Sequence, residues 1–378
     1  MGRKIRTYML CGWLVFLSGC SDRIDLEDTT LSLAYGFDMR EDGTLLVYQA
    51  STAFTKSVKK NYEVFGAKVH TARQAKEIFN SMGSGVPVTG KNQVILFGKH
   101  LLEREGAMPI LDVAYRDSKN SGNARIAAVD GPVSSIMNSK FTDKPMLPLY
   151  LTGLIDVEKK YNSTAYATVQ RFHTLSFDKG ITPAISLIKK GKDGIVVTGS
   201  ALLDHHTTFK MALSRRETMI LSMLQRHENK PVNMVVQLPR LPFKRSNVLK
   251  NKKGHNYVSL SITGVHRNIK QTYENGRFSF EVKLKLHAML AERTFAMNMK
   301  RDKKKLEQII AEQMGKECNA LVTKVQKQRL DPFGFGWQVR AFQYEHWKKV
   351  KDHWPDAFAE ASVRIVPEVE ITNNGATH

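Results

Sequence analysis

The clearest hydrophobic pattern of the chain lies in its last third, where apolar and polar residues alternate. Val258, Leu260 and Ile262 are separated by polar residues, and after Glu274-Asn275-Gly276 the alternation resumes from Phe278 to Leu286. A period of two puts the apolar side chains on one face of a β-strand. Two such runs around one turn predict an antiparallel hairpin with one buried and one solvent-facing side.

After this hairpin, apolar residues recur every three or four positions and predict one long amphipathic helix. Asp331-Pro332 is expected to end the helix, because proline lacks the amide hydrogen that a continuing helix needs. We predict a second helix over 339–353 and a final strand over 363–371. The apolar residues that recur every three or four positions, and so form one stripe of the long helix, are Leu306, Ile310, Met314, Cys318, Leu321 and Val325.

The first half of the chain alternates between strand-like and helix-like segments. Short apolar or alternating runs predict strands at 31–35, 45–49, 62–70, 93–97 and 125–129. Helical spacing predicts helices at 71–82, 101–115, 132–137 and 146–161. Such alternation is typical of a mixed sheet with helices packed on it. The fold class we predict is α+β, with several domains of mixed or antiparallel sheets flanked by helices.

A break in the pattern lies at Gly191-Lys192-Asp193-Gly194, between Lys-rich and strongly β-forming sequence, and we place a domain boundary there. Strands are expected on its C-terminal side over 195–203 and 232–238. Between them, Ser214 begins a capping box in front of a helix over 215–224.

The N-terminus has the layout of a secretory signal peptide. Three basic residues precede the apolar run 8–17, which is too short to span a bilayer as a helix. The run ends in Leu17-Ser18-Gly19-Cys20, which looks like a bacterial lipobox, a signal in which the cysteine receives a diacylglyceryl group. We predict that residues 1–19 are a lipoprotein signal peptide and that lipidated Cys20 holds the chain on a membrane, outside the cytoplasm. The alternative is an uncleaved hydrophobic segment that ends in a cysteine.

The chain is strongly basic, with 57 Lys and Arg against 36 Asp and Glu and a formal net charge of +21. Cleavage before Cys20 removes three of the 57 basic residues and no acid, which leaves 54 and a net charge of +18. We expect an anionic partner, and the lipid surface is nearer to an exported protein than nucleic acid is. Ordinary solvated surfaces would explain the same basic clusters, which lie at 189–190, 250–253, 300–305 and 348–349.

No residue pattern predicts catalysis, a metal site or a cofactor site. Cys318 lies on the apolar stripe, where a buried thiol is expected, and acylation of Cys20 would leave it without a disulfide partner. His205-His206 are adjacent, and His346 and His353 lie two helical turns apart, so neither pair can share a metal ion. The glycine-rich stretches do not continue into nucleotide-binding motifs. We therefore expect a protein that is not an enzyme.

Short stretches along the chain match a known family pattern. Residues 20–26 resemble its opening, with Ser21 in place of the usual tryptophan. The N-terminal stretches are Gly36-Phe37-Asp38, Val94-Ile95-Leu96-Phe97-Gly98, Ile110-Leu111-Asp112 and Tyr115-Arg116-Asp117. The stronger C-terminal match comprises Asp331-Pro332-Phe333-Gly334-Phe335-Gly336, His346-Trp347-Lys348-Lys349-Val350, Trp354, Phe358 and the strand 363–371. In this order the stretches resemble the Ger(x)C spore germination lipoproteins, the C subunits of germinant receptors.

The resemblance implies a location, partners and an architecture. Such proteins are peripheral lipoproteins of the inner spore membrane in endospore-forming bacteria. They act with two integral membrane subunits, A and B, in a receptor for nutrient germinants, and the B subunit is generally held to sense the small molecule. The family has three domains, which in this sequence would be 21–193, 194–240 and 241–378.

The resemblance also implies a function. We expect a membrane-anchored subunit, required for spore germination, that acts through contacts with the A and B subunits and with the anionic membrane surface. We expect no catalytic residue, metal, cofactor or nucleic-acid partner. One alternative is a solute-binding lipoprotein that delivers a germinant to a transporter-like partner and binds it in a cleft between two lobes. Another is a protein that binds polyanions.

The family-like motifs themselves favour structural roles. Gly334 and Gly336 are predicted to allow a tight turn between two helices. Arg116 and Asp117 are interpreted as an ion pair or a helix cap. The aromatic residues expected to pack the turn against the sheet are Phe333, Phe335, Trp337, Trp347 and Trp354.

Overall fold

The computed structural model describes residues 29–52, 62–83, 85–88, 90–116, 120–225, 231–239 and 256–373. Two sheets with helices on their faces make up this part of the chain, so the predicted α+β class is confirmed. The predicted signal peptide and Cys20 lie outside the described residues.

The first sheet has a parallel centre. Its strand order is β3-β2-β1-β5-β6-β7-β8-β9, and β4 pairs with the start of β1. Strands β1, β5, β6 and β7 run parallel, and antiparallel pairs extend the sheet on both sides. The strands are β1 (Thr29–Met39), β2 (Leu45–Thr52), β3 (Tyr62–Val69), β4 (Val86–Val88), β5 (Val94–Gly98), β6 (Arg125–Val129), β7 (Ala184–Lys190), β8 (Ile195–Leu203) and β9 (Phe209–Ser214).

Helices cover both faces of the first sheet because its central strands are apolar on both faces. In β5, Ile95 and Phe97 face one core, whereas Val94 and Leu96 face the other. The helices of this half are α1 (Ala72–Met82), α2 (Lys99–Arg104), α3 (Met108–Arg116), α4 (Val133–Met137), α5 (Leu147–Lys160) and α6 (Val169–Phe177). Helices α1, α2, α3 and α6 pack on the Phe97 face, and α4 and α5 pack on the Leu96 face.

The second sheet has the strand order β10-β11-β12-β13, and its last pair is parallel. The predicted hairpin is confirmed as β11 and β12, joined by a turn in which Asn275 and Gly276 have positive φ angles. The strands are β10 (Val232–Leu238), β11 (Asn256–Glu274), β12 (Arg277–Arg293) and β13 (Ser362–Asn373). The helices of this half are α7 (Arg215–Leu224), α8 (Met299–Gln326), α9 (Phe335–Phe342), α10 (Tyr344–Val350) and α11 (Trp354–Ala359).

Helix α8 is the long amphipathic helix, and all six predicted stripe residues are buried. Its Asn319 side chain also binds the neighbouring strand β13, because its amide donates to the Ile365 carbonyl (3.0 Å) and accepts from the Ile365 N–H (2.9 Å). Among the helices that the structure describes, none has both the length and the apolar composition that crossing a bilayer requires.

The two sheets divide the chain differently from the predicted domains. The predicted boundary at 193/194 falls in the turn between β7 and β8, which are hydrogen-bonded as an antiparallel pair. Residues 194–240 contribute β8 and β9 to the first sheet and β10 to the second, so they form no sheet of their own. The described residues therefore group into two sheet domains, whose limits do not coincide with 21–193, 194–240 and 241–378.

The single helix predicted over 339–353 is wrong. The segment contains the end of α9, then α10 and a 3-10 turn over Lys351–His353, after which α11 begins at Trp354. Gln343 interrupts the helix with φ −140° and ψ 51°. Pro355 lies in the first turn of α11, where a missing N–H costs nothing, and it cannot continue a helix that begins earlier.

Helix α6 and strands β7 and β9 were not predicted. The apolar part of β7 covers only the five residues 184–188, and periodicity alone cannot distinguish so short a buried run from a helix segment. Strands β7 and β9 belong to the first sheet, in which β9 is an edge strand.

Candidate functional site

The loop between α8 and α9 contains the strongest family-like motif, Asp331 to Gly336, and it joins the two sheet domains. Its first residue, Asp331, is only 2% exposed. Carboxylates are rarely buried to this degree without compensating hydrogen bonds. The partners of this carboxylate therefore determine how the loop folds.

The Asp331 carboxylate is enclosed by four N–H donors. Its Oδ1 accepts from the backbone N–H groups of Phe333 (3.1 Å) and Gly334 (3.0 Å). Its Oδ2 accepts from the Gly336 N–H and from the Trp354 indole Nε1–H, both at 2.9 Å. Burial raises the pKa of Asp331 to about 6, although these hydrogen bonds favour the charged form. One side chain thus folds the loop and ties it to α11.

The two glycines of the loop serve different purposes. Gly334 has φ +78°, a left-handed conformation that confirms the predicted tight turn. Gly336 has no such angle but lies against Gly180 of the first domain, where a Cβ on Gly336 would come within 2.6 Å of the Gly180 Cα atom. The missing side chain therefore allows two backbones from different domains to touch.

Two hydrogen bonds between Thr182 and Asp331 hold this junction. The Thr182 N–H donates to the Asp331 carbonyl, and the Asp331 N–H donates to the Thr182 hydroxyl oxygen, both at 2.8 Å. Thr182 lies just before β7, so the contact connects the centre of the first sheet to the loop. Near it, the Arg340 guanidinium binds both carboxylate oxygens of Asp178, and Lys179 pairs with Asp352.

Helix α7 forms a second connection between the domains. The predicted capping box is confirmed, because the Ser214 hydroxyl accepts from the Glu217 N–H and the Glu217 carboxylate accepts from the Ser214 N–H. The same carboxylate pairs with Lys324 of α8 at 2.6 Å, and Arg216 pairs with Glu317 of α8 at 2.9 Å. Leu221 and its apolar neighbours on α7 join the core of the second sheet.

Four of the five aromatic residues pack as predicted. Phe335 contacts Phe280 of β12 at a ring separation of 4.7 Å, and Trp354 contacts Phe278 of the same strand at 5.6 Å. Phe333 and Trp347 are also buried. Trp337 differs, since it is 36% exposed and lies against Gly180 at the edge of the junction instead of against the sheet.

A second buried carboxylate explains another family-like stretch. Asp38, at the end of β1, accepts from the Met39 N–H (2.9 Å) and the Val133 N–H (2.8 Å), and so holds the start of α4 against the sheet. A Cβ on Gly98 would lie 2.2 Å from the Asp38 carboxylate. The glycine that ends Val94–Gly98 therefore makes room for this aspartate, and burial raises the Asp38 pKa.

Two models of known protein families match this chain. The family model described as "Spore germination protein N-terminal domain" matches residues 22–190. The model described as "Spore germination B3/ GerAC like, C-terminal" matches residues 198–375. The chain belongs to the Ger(x)C family of spore germination proteins.

Relatives align with this Ger(x)C protein over almost their full lengths. Spore germination protein GerQC of Bacillus cereus is 21% identical over 96% of this chain and 97% of its own length. Spore germination protein B3 of Bacillus subtilis (strain 168) is 22% identical over 96% of both chains. The crystal structure of the GerBC protein covers 92% of this chain and 100% of its own, with 18% identity and a TM-score of 0.56, which shows a shared fold.

The other residues singled out in the sequence have simple surroundings in the Ger(x)C fold. Cys318 is fully buried, and burial raises its pKa to about 12, so the thiol is not ionised at neutral pH. Arg116 pairs with Asp112 of its own helix at 2.7 Å, whereas Asp117 lies outside the described residues. Across the residues described, no cluster of His, Cys, Asp or Glu has an arrangement that could hold a metal ion.

The sequence patterns missed the partners of the junction. Gly180 and Thr182 lie about 150 positions before the loop they contact, and neither belongs to a recognisable motif. An Asp-Pro pair after a helix indicates where the helix ends but not that the carboxylate will be buried. The junction can therefore be recognised only once both domains are in place.

We predict that Asp331→Asn destabilises the protein by about 2 kcal/mol or more at pH 7. The substitution replaces one acceptor oxygen by an NH₂ group, which leaves two of the four N–H donors without an acceptor. Urea unfolding of residues 21–378 measures the effect. Asp352→Asn, at an exposed pair near the same junction, is the control and should cost less than about 1 kcal/mol. Equal unfolding midpoints for wild type and Asp331→Asn would contradict the assignment.

Because burial raises the pKa of Asp331, the difference in unfolding free energy between wild type and Asp331→Asn depends on pH. The folded protein holds the proton with a pKa of about 6, above the usual aspartate value, so this group stabilises the fold fully below about pH 4. That contribution is lost as the pH rises through about 6. The difference in unfolding free energy between wild type and Asp331→Asn should therefore shrink between pH 4 and pH 7. A difference that grows over this range would show that the pKa is lowered instead.

Proposed function

We propose that this protein is the C subunit of a nutrient germinant receptor. The observation that carries the proposal is the order and extent of the family matches, which together span residues 22–190 and 198–375. The aligned relatives carry the names of spore germination proteins and match from end to end. On this proposal the protein is required for germination and acts without catalysis, through contacts with the integral membrane A and B subunits.

The proposal includes a lipid anchor at Cys20. The support is the N-terminal sequence, in which an apolar run ends in Leu17-Ser18-Gly19-Cys20. Eight residues lie between Cys20 and Thr29, where β1 begins, and a fully extended chain over these nine residue-to-residue steps would reach about 30 Å. An anchor at that position would keep the first sheet domain close to the inner spore membrane, outside the cytoplasm.

An exposed apolar stripe on α5 supports a role in protein contacts. Leu149 and Val157 are 47% and 45% exposed, and Tyr161, directly after the helix, is 50% exposed. Gly153 lies between them at the same spacing of four, and a Cβ there would meet no atom within 4 Å. Contiguous apolar surface at an outward face is typical of an interaction site. We assign this stripe to contacts with the A or B subunit.

A basic end of the second sheet domain supports contact with the anionic membrane surface. Lys300, Arg301 and Lys304 are exposed in the first turns of α8. Arg293 ends β12 nearby and pairs with Val258. Leu238 and Asn256, which flank the Lys-rich sequence 240–255, are paired with each other at this same end of the sheet. The described basic residues Arg293, Lys300, Arg301 and Lys304 therefore lie toward one end of this sheet domain.

We predict that Cys20→Ala releases the protein from spore membranes and impairs the response to nutrients, because no diacylglyceryl group can form. Cys11→Ala, in the same N-terminal region, is the matched control and should leave both properties unchanged. Membrane fractionation and mass spectrometry of the N-terminal peptide measure the anchor, and loss of optical density measures germination. Full membrane retention of Cys20→Ala, or an unmodified thiol in the wild-type protein, would contradict the proposal.

We predict that Val157→Asp weakens co-purification with the A and B subunits and slows nutrient germination, since a charge cannot be buried in an apolar contact without cost. Its thermal unfolding should match that of the wild type, because Val157 is exposed. Gln170→Asp on α6 introduces the same side chain at an exposed polar position and should have no effect. Unchanged co-purification of Val157→Asp would exclude the α5 stripe as the contact.

We predict salt-sensitive binding of residues 21–378 to phosphatidylglycerol vesicles and little binding to phosphatidylcholine vesicles. The pair Lys300→Glu and Lys304→Glu should reduce co-sedimentation. The pair Lys316→Glu and Lys327→Glu has the same change in charge in the C-terminal half of α8 and just beyond its last residue, and should reduce co-sedimentation less. Equal losses of co-sedimentation from both pairs would indicate that only net charge matters. Tighter binding to nucleic acid than to vesicles would favour a polyanion-binding role.

A further inference from the structure

The first sheet domain contains an apolar cavity that the proposed receptor role does not use. It lies between helices α1 and α3 and the face of the sheet formed by β1, β2 and β5, and its volume is about 360 Å³. Phe37, Phe79, Ile95 and Leu111 form much of its wall. Pockets of this size, with apolar walls and a few polar groups, are typical of small-molecule sites.

One buried polar group points to a ligand. Asn92 lines the cavity and is 9% exposed, and its Oδ1 atom has no hydrogen-bond partner among the described residues. A buried acceptor without a donor destabilises a fold, and such atoms are rare in native proteins. That atom is itself enclosed, so a bound molecule with an N–H or O–H group would reach it once the Asn92 amide turns toward the cavity.

The mouth of the cavity is positively charged. Of the charged residues that line it in the described part of the chain, Arg73 and Lys76, one turn apart on α1, are basic and Glu77 is acidic. All three side chains are exposed, so they can reach a molecule that enters without being buried themselves. The excess of one positive charge favours a ligand with an anionic group at its outer end.

We propose that this cavity binds a small amphipathic anion. Its apolar body would occupy the space between α1, α3 and the sheet, an N–H or O–H group would donate to Asn92 Oδ1, and its anionic group would lie near Arg73 and Lys76. The site lies within one domain, between helices and a sheet, and not between two lobes. The inference is independent of the proposed receptor role and can be tested on the isolated chain.

A suitable probe is 8-anilinonaphthalene-1-sulfonate, which combines apolar rings, one N–H group and a sulfonate. The test uses unlipidated residues 20–378 with Cys20→Ala, which retain every described element. We expect saturable fluorescence enhancement with one probe per chain. Asn92→Leu should weaken binding by about tenfold, the effect of one lost hydrogen bond, without lowering the thermal unfolding midpoint.

Charge at the mouth is tested with a second probe. N-phenyl-1-naphthylamine has the same rings and N–H group but no sulfonate. Arg73→Glu should weaken binding of the sulfonate probe several-fold and leave the neutral probe almost unaffected. Lys316→Glu on α8 carries the same change of charge far from the cavity in sequence and should affect neither probe.

Filling the cavity gives a test that does not depend on Asn92. Ala114 of α3 lines the cavity and is half-buried, so Ala114→Trp should abolish binding of both probes while circular dichroism stays unchanged. Wild-type binding by a folded Ala114→Trp variant would overturn the proposal. So would unsaturable binding, or Asn92→Leu and Arg73→Glu variants that bind the sulfonate probe as the wild type does.

Discussion

A buried carboxylate holds the two halves of this protein together. Asp331 is almost fully enclosed, and four N–H donors, three from its own loop and one from Trp354, satisfy both of its oxygens. A charge in such a position is tolerated only when every acceptor site is filled, so the loop has little freedom to adopt another shape. The shape of the loop in turn brings Gly336 against Gly180 and the backbone of Asp331 against Thr182. The Asp331 side chain therefore fixes the arrangement of the two sheets at this loop, while α7 connects the two domains at a second place.

The same principle recurs at the end of β1, where Asp38 accepts two backbone N–H groups and holds α4. Both aspartates belong to stretches that resemble the Ger(x)C family, and both contact a glycine whose missing side chain leaves the necessary space. These stretches thus have structural explanations that do not require a ligand. In the role we propose, contact with other proteins, a fixed relation between the domains would itself be a functional property.

Two buried polar side chains among the described residues, Asp331 and Asn92, differ in whether the protein itself satisfies them. Asp331 has all its hydrogen bonds within the protein, whereas Asn92 lines a cavity and its enclosed Oδ1 atom has no hydrogen-bond partner among the described residues. The first group stabilises the fold as it stands. The second lacks a partner in the fold as it stands, which is why the cavity that Asn92 lines, and not the junction, carries the ligand proposal.

Local patterns in the sequence were enough for the class of fold, the β11–β12 hairpin, the buried stripe of α8 and the capping box at Ser214, because each of these depends on residues close together in the chain. The single helix over 339–353 was wrong because Gln343 carries no local signal of a break. The contacts of Asp331 with Thr182, the division of 194–240 between two sheets and the cavity at Asn92 join segments far apart in sequence. Periodicity contains no information on such pairings, so only the tertiary structure decides them.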